Sequence, residues 1–362
     1  MKKFISAAFI IFTSFHSYSQ PGYFYITGKV IDADSKTPLP AASVFTQNTT
    51  FGTTTDSSGN FKLSLPNGGY DLVVSYTDHS TESRRISSAD AAGNILVELK
   101  QKDKSLDVVS VVASNEVKDG WERYGLFFGD NFIGKTKFSA NCHIVNHDVL
   151  KFYFSKKRNR LKVLADEAVE IQNDALGYKI KYRLDSFTYD YITQTTYYTG
   201  YPLFEEMQPA DDAQKATWYE NRLKAYEGSM LHFMKSVYSK ALKEDGFEIQ
   251  FVVKDNDMDT ALKLKNFYAA MNYKKDDSSQ TVTIRPNQPN VAVIYNKTPD
   301  ENYLAENDDA PKKYQLSIMT ITSGQSIVIE QNGYFYDQND ITINGYWTWQ
   351  KVGDMLPYDF TP

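Results

Sequence analysis

Short runs of alternating apolar and polar residues, separated by turn-forming residues, occupy positions 22 to 112. In the run FKLSL, Phe61, Leu63 and Leu65 alternate with polar residues, and YDLVVSY shows the same spacing. A period of two is typical of a β-strand that buries one face, and frequent turn signals indicate antiparallel neighbours. The pattern therefore predicts an antiparallel β-sandwich in this part of the chain.

A second β-rich region follows residues 115–133, which we interpret as a linker. Its strand-like runs include KFYF, RLKVLAD and AVEIQN. The longest runs form an aromatic hairpin, YKIKYRLDSFTYDYITQTTYYTGYPLF, with a polar turn near Tyr191–Gln194. We expect strands here because aromatic and β-branched residues favour them.

The apolar spacing changes to three and four residues over about 211–245, which predicts a helical segment. Asp211 or Asp212 can cap its N-terminus, and Gly246 can end it. The Gly228–Ser229 pair lies near the middle of the segment and can bend or break it into two helices.

The rest of the chain favours strands again, after a short helix that we predict at Asp259–Tyr273. The last strand-like run ends in GYWTWQ, residues 345–350. Trp347 and Trp349 alternate there with Tyr346 and Thr348, so that each face of the predicted strand carries at least one large aromatic side chain. We therefore predict a core strand that is covered on both sides.

The N-terminal motifs GKVID, TPLPAASV, GTTTDSSGNFKLSLP and YDLVVSY together resemble the carboxypeptidase regulatory-like domain. This resemblance implies a small seven-stranded sandwich of transthyretin-like topology that carries no catalysis of its own. Gly28 opens the first strand of the pattern, Asp56 and Gly59 suit the hairpin turn, and Phe61 fills the core.

Longer motifs extend the resemblance, among them NCHIVNHDVLKF, NRLKAYEGSMLHFMKS and GYWTWQKVGDMLPYDF. They are similar to Bacteroidetes carboxypeptidase-like regulatory domain-containing proteins, which implies an exported two-part chain and no particular activity. The expected fold is mainly β: the seven-stranded sandwich is followed by an α+β region with antiparallel sheet and one or two long helices. The expected domains are a signal peptide at 1–20, the sandwich at 21–113 and an α+β domain of unknown function at 114–362.

The first twenty residues resemble a secretory signal peptide, because Lys2 and Lys3 precede a short apolar run and small residues follow it. We therefore expect export to the periplasm or the outer cell surface. Removal of the peptide would move the net charge from −6 to −8, so nucleic acid is a poor candidate partner. The apolar run is too short to span a bilayer, and no later run is apolar enough, so we expect no membrane-spanning segment.

The stretch NCHIVNHD holds the only cysteine, Cys142, together with His143 and His147. On a helix two histidines four residues apart could share a zinc ion, but this stretch favours a strand and a turn. On a strand their Cα atoms would lie roughly 13 Å apart, too far for one ion. We therefore expect no metal and no cofactor here, and we expect Cys142 to be a buried small hydrophobic residue.

Three further patterns fall short of a complete site. His79 and Glu82 spell H-x-x-E, but they fall at the end of a predicted sandwich strand. The run DNDMDT lacks the glycine and the glutamate of a calcium loop, so a capping role for Asp259 is the plainer interpretation. A cluster of carboxylates near a turn, which we expect to lie in solvent, comprises Glu205, Glu206, Asp211 and Asp212.

The aromatic hairpin is the one candidate binding surface, although alternating tyrosines more often pack than bind. With the C-terminal tryptophans, the candidate ligand-binding residues are Tyr189, Tyr191, Tyr197, Tyr198, Trp347 and Trp349. No convergent acid, base or nucleophile set appears. We therefore expect a non-catalytic binding or assembly module of the bacterial envelope or cell surface, whose partner is a protein or a glycan. The alternatives are an envelope hydrolase, either a peptidase or a glycosidase, and a glycan-binding protein.

Overall fold

A computed structural model of the chain describes residues 22–102, 115–255, 258–322, 324–336 and 338–362. The expected signal peptide and the strand predicted at 106–113 lie outside these ranges. Within them, none of the helices has both the length and the apolar character needed to cross a bilayer.

The N-terminal unit is a sandwich of two sheets. One sheet has the strand order β4-β1-β7, with β1 and β7 parallel, and the other has the order β3-β2-β5-β6. The strands are β1 (Tyr23–Asp32), β2 (Ser43–Thr46), β3 (Gly52–Thr54), β4 (Asn60–Pro66), β5 (Tyr70–Ser75), β6 (Glu82–Ile86) and β7 (Asn94–Leu99). The predicted sandwich is therefore confirmed, except that β1 and β7 pair in parallel where antiparallel neighbours were expected.

Alternation of side chains builds the sandwich core as the sequence pattern predicts. Phe61, Leu63 and Leu65 are buried, while their polar neighbours face solvent. Gly28 is required on β1 because a Cβ there would lie 2.5 Å from the Phe61 ring and 2.4 Å from the Ile95 carbonyl oxygen. In the hairpin turn the Asp56 carboxylate accepts hydrogen bonds from backbone amides.

The second unit is a six-stranded antiparallel sheet with one helix on its apolar face. The helix α1 (Gly120–Phe132) occupies most of the segment interpreted as a linker, so that interpretation is wrong. The long strand β12 pairs along its whole length with β13, and its other edge carries β11 at one end and β10 at the other. The strands are β8 (Cys142–Ile144), β9 (Leu150–Ser155), β10 (Arg160–Ala165), β11 (Val169–Asn173), β12 (Tyr178–Asp190) and β13 (Thr195–Glu206).

Aromatic rings fill the space between α1 and this sheet. Phe128 and Phe132 of the helix are fully buried and lie edge-on to Phe187 or Tyr182 at centroid distances near 5.0 Å. Such edge-to-face pairs are favourable beyond their burial. The predicted strands and the turn between Asp190 and Thr195 are confirmed.

The third unit contains two further antiparallel sheets that share one core with a helix. The first sheet has the strand order β15-β14-β18-β19-β21 and the second has the order β16-β17-β20. The strands are β14 (Phe247–Asp255), β15 (Met258–Lys263), β16 (Lys274–Asp276), β17 (Thr281–Ile284), β18 (Asn290–Tyr295), β19 (Gln315–Ile321), β20 (Ile327–Glu330) and β21 (Ile341–Gly345). The short helices α4 (Phe267–Ala270) and α5 (Glu301–Glu306) lie between strands.

The helical segment is broken at the predicted place. Helix α2 (Asp212–Tyr226) begins after Asp211, whose carboxylate accepts from the Gln214 amide. Helix α3 (Met230–Ser239) begins after Ser229, which caps it in the same way through the amide of His232. It ends earlier than predicted because Lys240 adopts a left-handed conformation with φ of 58°. Gly246 therefore does not end it.

Two predicted elements are wrong. The first part of the helix expected at Asp259–Tyr273 is strand, because β15 forms a hairpin with β14, and only the four residues of α4 are helical. The strand expected at residues 345–350 stops at Gly345, where φ is 78° and a Cβ would lie 2.4 Å from the Leu316 carbonyl oxygen. The chain then turns into a 3₁₀ helix, Tyr346–Thr348, so the two tryptophans leave the sheet.

The sandwich is tied to the rest of the chain by its turn between β2 and β3. The Asn48 amide donates to the Pro202 carbonyl of β13 at 2.7 Å, and the Asn48 carbonyl accepts from the Tyr358 amide at 2.8 Å. Thr50 donates from both its amide and its hydroxyl to the Asp359 carboxylate, at 2.9 and 2.6 Å. We call these contacts the β2–β3 clamp.

A second tie joins the sandwich to the third unit. Arg85 of β6 forms an ion pair of 2.7 Å with Glu330 of β20, which is largely buried, and stacks over the Tyr336 ring. The Tyr334 hydroxyl donates to the Asp71 carboxylate at 2.6 Å. Burial of the Glu330 carboxyl raises its pKa, although the Arg85 charge opposes this.

We expect Trp347→Ala to destabilise the third unit far more than Trp349→Ala does. Trp347 is only 4% exposed, packs on Phe233, and donates its indole N–H to the Gly228 carbonyl at 2.8 Å. Its truncation should lower the free energy of unfolding by about 3–5 kcal/mol. Urea titrations followed by circular dichroism measure both variants. Equal losses would contradict the assignment of Trp347 alone to the core.

Candidate functional site

The hairpin of β12 and β13 does not present its tyrosines on one face. Tyr189, Tyr191 and Tyr198 lie on the side covered by α1. Tyr189 and Tyr191 contact Phe127 at centroid distances of 4.7 and 5.5 Å, and Tyr198 lies edge-on to Phe132 at 5.3 Å. These three residues therefore serve mainly to pack helix against sheet.

Tyr197 lies on the opposite face of the same hairpin. It pairs with Thr188 across the strands, and its side chain is 67% exposed. The structure thus separates Tyr197 from the other three hairpin tyrosines.

The two C-terminal tryptophans are also separated. Trp347 is buried in the core of the third unit. Trp349 is half-buried, lies edge-on to Tyr303 at 5.6 Å, and lines a surface cleft. Its indole nitrogen is shielded by protein yet has no hydrogen-bond partner among the described residues.

This cleft has a volume of about 430 Å³, which is within the usual range for a small-ligand site. It brings together two of the six candidate residues, Tyr189 and Trp349, from segments far apart in the sequence. We call it the Trp349 cleft. Its lining comprises Phe127, Asp130, Asn131, Lys135, Tyr189, Tyr303, Glu306, Asn307, Gly345, Thr348, Trp349 and Lys351.

Charged groups at the cleft are arranged by hydrogen bonds. Lys135 donates to both carboxylate oxygens of Glu306, at 3.0 and 2.9 Å. Lys351 donates to the Asn131 carbonyl at 3.0 Å. Burial and the nearby Lys135 charge lower the pKa of Lys351, whereas Asp130 opposes this effect. The Asp130 carboxylate makes no hydrogen bond to any described residue, so it can accept from a ligand.

The Trp349 cleft combines aromatic walls with an unpaired donor and an unpaired acceptor. The indole nitrogen of Trp349 is shielded in this structure. A buried donor that stays unpaired costs about 1–3 kcal/mol, so a small shift of the cleft wall that lets a ligand accept from it would recover that cost. Aromatic faces bind the apolar faces of ring compounds, and the polar groups fix their orientation. The arrangement therefore suits a small ring bearing hydroxyl groups. It offers no nucleophile paired with a base.

The stretch HIVNH forms the strand and turn that the sequence favours. His143 lies on β8, is 65% exposed, and faces Asp174 at 3.5 Å. His147 lies in a 3₁₀ turn and stacks on Trp121 with ring centroids 4.6 Å apart. Burial raises the pKa of the Cys142 thiol to about 12, as for a packed, unreactive cysteine. Within the described ranges no group of three potential ligands could hold a metal ion.

His79 of the H-x-x-E pattern is a structural residue of the sandwich. Its Nε2 lies 2.9 Å from the Asp32 carboxylate and its Nδ1 lies 2.8 Å from the Thr77 carbonyl. Both partners can only accept, so both ring nitrogens carry a hydrogen. Burial alone would lower the pKa of His79, but these hydrogen bonds and the charge of Asp32 outweigh it and raise the pKa.

Three carboxylates of the remaining acidic patterns form ion pairs, and Asp211 caps α2. Asp259 lies on β15 and pairs with Lys254 at 2.9 Å, so the predicted capping role is wrong. Asp257 lies outside the described residues. Glu205 and Glu206 pair with Lys181 and Arg222, respectively.

Asp354 is a candidate that sequence reasoning missed. It is 6% exposed, and its carboxylate accepts from the Thr136 hydroxyl at 3.0 Å and lies 3.5 Å from the Ser139 hydroxyl. Burial raises the pKa of Asp354 to about 7 despite these hydrogen bonds. Only its position in the fold gives it this property, because the local sequence VGDM carries no signal.

Asp354 also borders a cavity of about 230 Å³ where the three units meet. Its mainly apolar wall includes Leu231, Trp347 and Leu356, and Asn48 of the sandwich contributes an amide oxygen that has no hydrogen-bond partner within the described ranges. The cavity is smaller than the usual small-ligand site. The Trp349 cleft remains the better candidate.

Comparison with known proteins supports the domain and not a function. The family model of the CarboxypepD_reg-like domain matches residues 26–111, which confirms the resemblance for that part of the chain. A search of curated proteins gives no match. Among solved structures, a 9R-lipoxygenase from Cyanothece PCC8801 is 10% identical, with a TM-score of 0.15 over 61% of this chain. The matched part spans 48% of the lipoxygenase chain, and a likeness this low carries no argument.

We expect the His79–Asp32 pair to make the stability of the sandwich fall as pH rises. A histidine whose pKa is raised by folding contributes stability that is full below its unfolded pKa, about 6.5, and is lost as pH rises through the folded pKa. The Asp32 pKa is lowered instead, chiefly by the Ser35 amide and then by His79, so its contribution is lost only in acid.

The measurement is the unfolding midpoint of wild type minus that of His79→Gln, at pH 6 and at pH 9. The difference should be larger at pH 6. His143→Gln is the control, because His143 is exposed. A difference that is independent of pH would contradict an imidazolium at position 79.

Proposed function

We propose that the protein is an exported, non-catalytic binding protein of the bacterial cell envelope, and that the Trp349 cleft holds a glycan. Export rests on the N-terminal signal pattern. An envelope location also agrees with the resemblance to exported Bacteroidetes proteins. The observation that carries the proposal is the shielded, unpaired indole N–H of Trp349 at the wall of a polar cleft.

The chemistry of the cleft favours a sugar over a lipid. Tyr303 and Trp349 form an aromatic corner, and Asp130 and Lys135 lie in the same wall. A sugar ring has an apolar face for the aromatic corner and hydroxyl groups that both donate and accept. A lipid tail would leave the polar groups unpaired at a cost.

A second function is favoured by Asp354 alone. A carboxyl with a pKa of about 7 can act as a general acid near neutral pH, as a glycosidase requires. Asp354→Asn would then abolish hydrolysis of aryl glycosides while sugar binding remained. Thr136 and Ser139 bind the carboxyl inside the protein, which is why we prefer a structural role for it.

Trp349→Phe tests the proposed function because it keeps an aromatic ring, although a smaller one, and removes the indole donor. We expect the mature protein to bind cellobiose, maltose or chitobiose, and the variant to bind the same sugar about tenfold more weakly. Titration calorimetry gives the affinities. Circular dichroism checks that the fold is kept.

Trp121→Phe is the matched control, since Trp121 stacks on His147 and does not line the cleft. It should bind as wild type does. If no sugar binds the wild-type protein, or if both variants lose affinity equally, the Trp349 cleft is not a glycan site.

A further inference from the structure

One end of the six-stranded sheet carries a dense group of positive charges on a chain that is acidic overall. The turn from β9 to β10 and the strand after it read KKRNRLK, with five cationic residues in Lys156–Lys162. The net charge of −6 gives no indication of this local cluster of positive charge. Short runs rich in lysine and arginine are a known signal of binding to polyanions or anionic surfaces.

Most of these charges are free. Arg160 is neutralised by Asp190, with Nε and the carboxylate 2.6 Å apart. Among the described residues, no carboxylate lies within ion-pair distance of Lys156, Lys157 or Arg158, and all three side chains are exposed. The cluster therefore presents uncompensated positive charge to solvent.

An exposed apolar side chain lies beside the cluster. The Tyr191 amide donates to the Asn159 carbonyl at 3.0 Å, which joins the β12–β13 turn to the β9–β10 turn. Ile192, at the tip of the β12–β13 turn, is 74% exposed. Its amide is held by the Asp190 carboxylate at 2.9 Å, so this turn is ordered and projects an aliphatic side chain.

The solvent face of the sheet extends the same surface. Tyr197, Thr188 and Lys162 pair across β13, β12 and β10, so they form one row on the face opposite α1. Tyr197 is 67% exposed. An amphipathic tyrosine beside lysines is typical of residues that lie at a membrane interface.

We propose that this end of the sheet docks on the surface of an anionic lipid bilayer. Lys156, Lys157 and Arg158 contact the headgroups, and Ile192 enters the boundary between headgroups and acyl chains. An anionic surface complements these charges, and each basic residue near it contributes roughly 1 kcal/mol of binding free energy. The attraction acts only over a short range, so the acidic residues elsewhere on the chain do not cancel it. A soluble polyanion would use the charges but not the exposed isoleucine.

Flotation with lipid vesicles tests this proposal on the full mature chain. We expect binding to vesicles that contain phosphatidylglycerol and no binding to pure phosphatidylcholine. The triple variant Lys156→Ser, Lys157→Ser, Arg158→Ser should bind about a hundredfold more weakly. Ile192→Ser should weaken binding several-fold while leaving every charge in place.

The matched control is Lys312→Ser with Lys313→Ser, which removes exposed charges in the third unit and should not change binding. Circular dichroism shows whether each variant is folded. Absence of vesicle binding by folded wild type would overturn the proposal. The proposal would also be overturned if Ile192→Ser bound vesicles as tightly as wild type and both proteins bound dextran sulfate equally. The surface would then be a site for soluble polyanions.

Discussion

The β2–β3 clamp is the contact on which the arrangement of the three units depends. Four polar contacts hold the Asn48–Thr50 turn of the sandwich between β13 and the C-terminal segment. Buried backbone groups must be paired, so the turn and the C-terminal segment each need the other. Here the sandwich has a structural task, because it fixes the last residues of the chain.

The C-terminal segment in turn builds the proposed binding site. The Gly353 amide donates to the Ile133 carbonyl at 2.8 Å, and its own carbonyl accepts from the Asn173 side chain at 2.9 Å. Trp349 lies just before these contacts and after the Gly345 turn, so its position is set from both sides. The Trp349 cleft and the basic end of the sheet both flank the β12–β13 hairpin. A protein that docks on a lipid surface could therefore hold a glycan close to it.

The sequence predicts the elements in which buried and exposed residues alternate regularly. It does not predict the structure where an unusual backbone conformation or a contact between distant segments determines it. The alternation of Phe61, Leu63 and Leu65 with polar residues predicts their strand, and Ser229 predicts the start of a helix. Gly345 lies in a run whose pattern predicts a strand, but its positive φ ends one. Tyr189 and Trp349 are both candidates, yet no pattern shows that they share a cleft, because only the tertiary fold brings them together. Asp354 has no local signal at all.

Amide hydrogen exchange over residues 345–360 is the most direct test of this account. The account predicts that the amides of Gly353 and Tyr358 exchange as slowly as those in the centre of β12, because both donate to buried carbonyls of other segments. Exchange as fast as in an exposed tail would contradict it. The sandwich would then not fix the C-terminal segment, and Trp349 would not have a set position in the cleft.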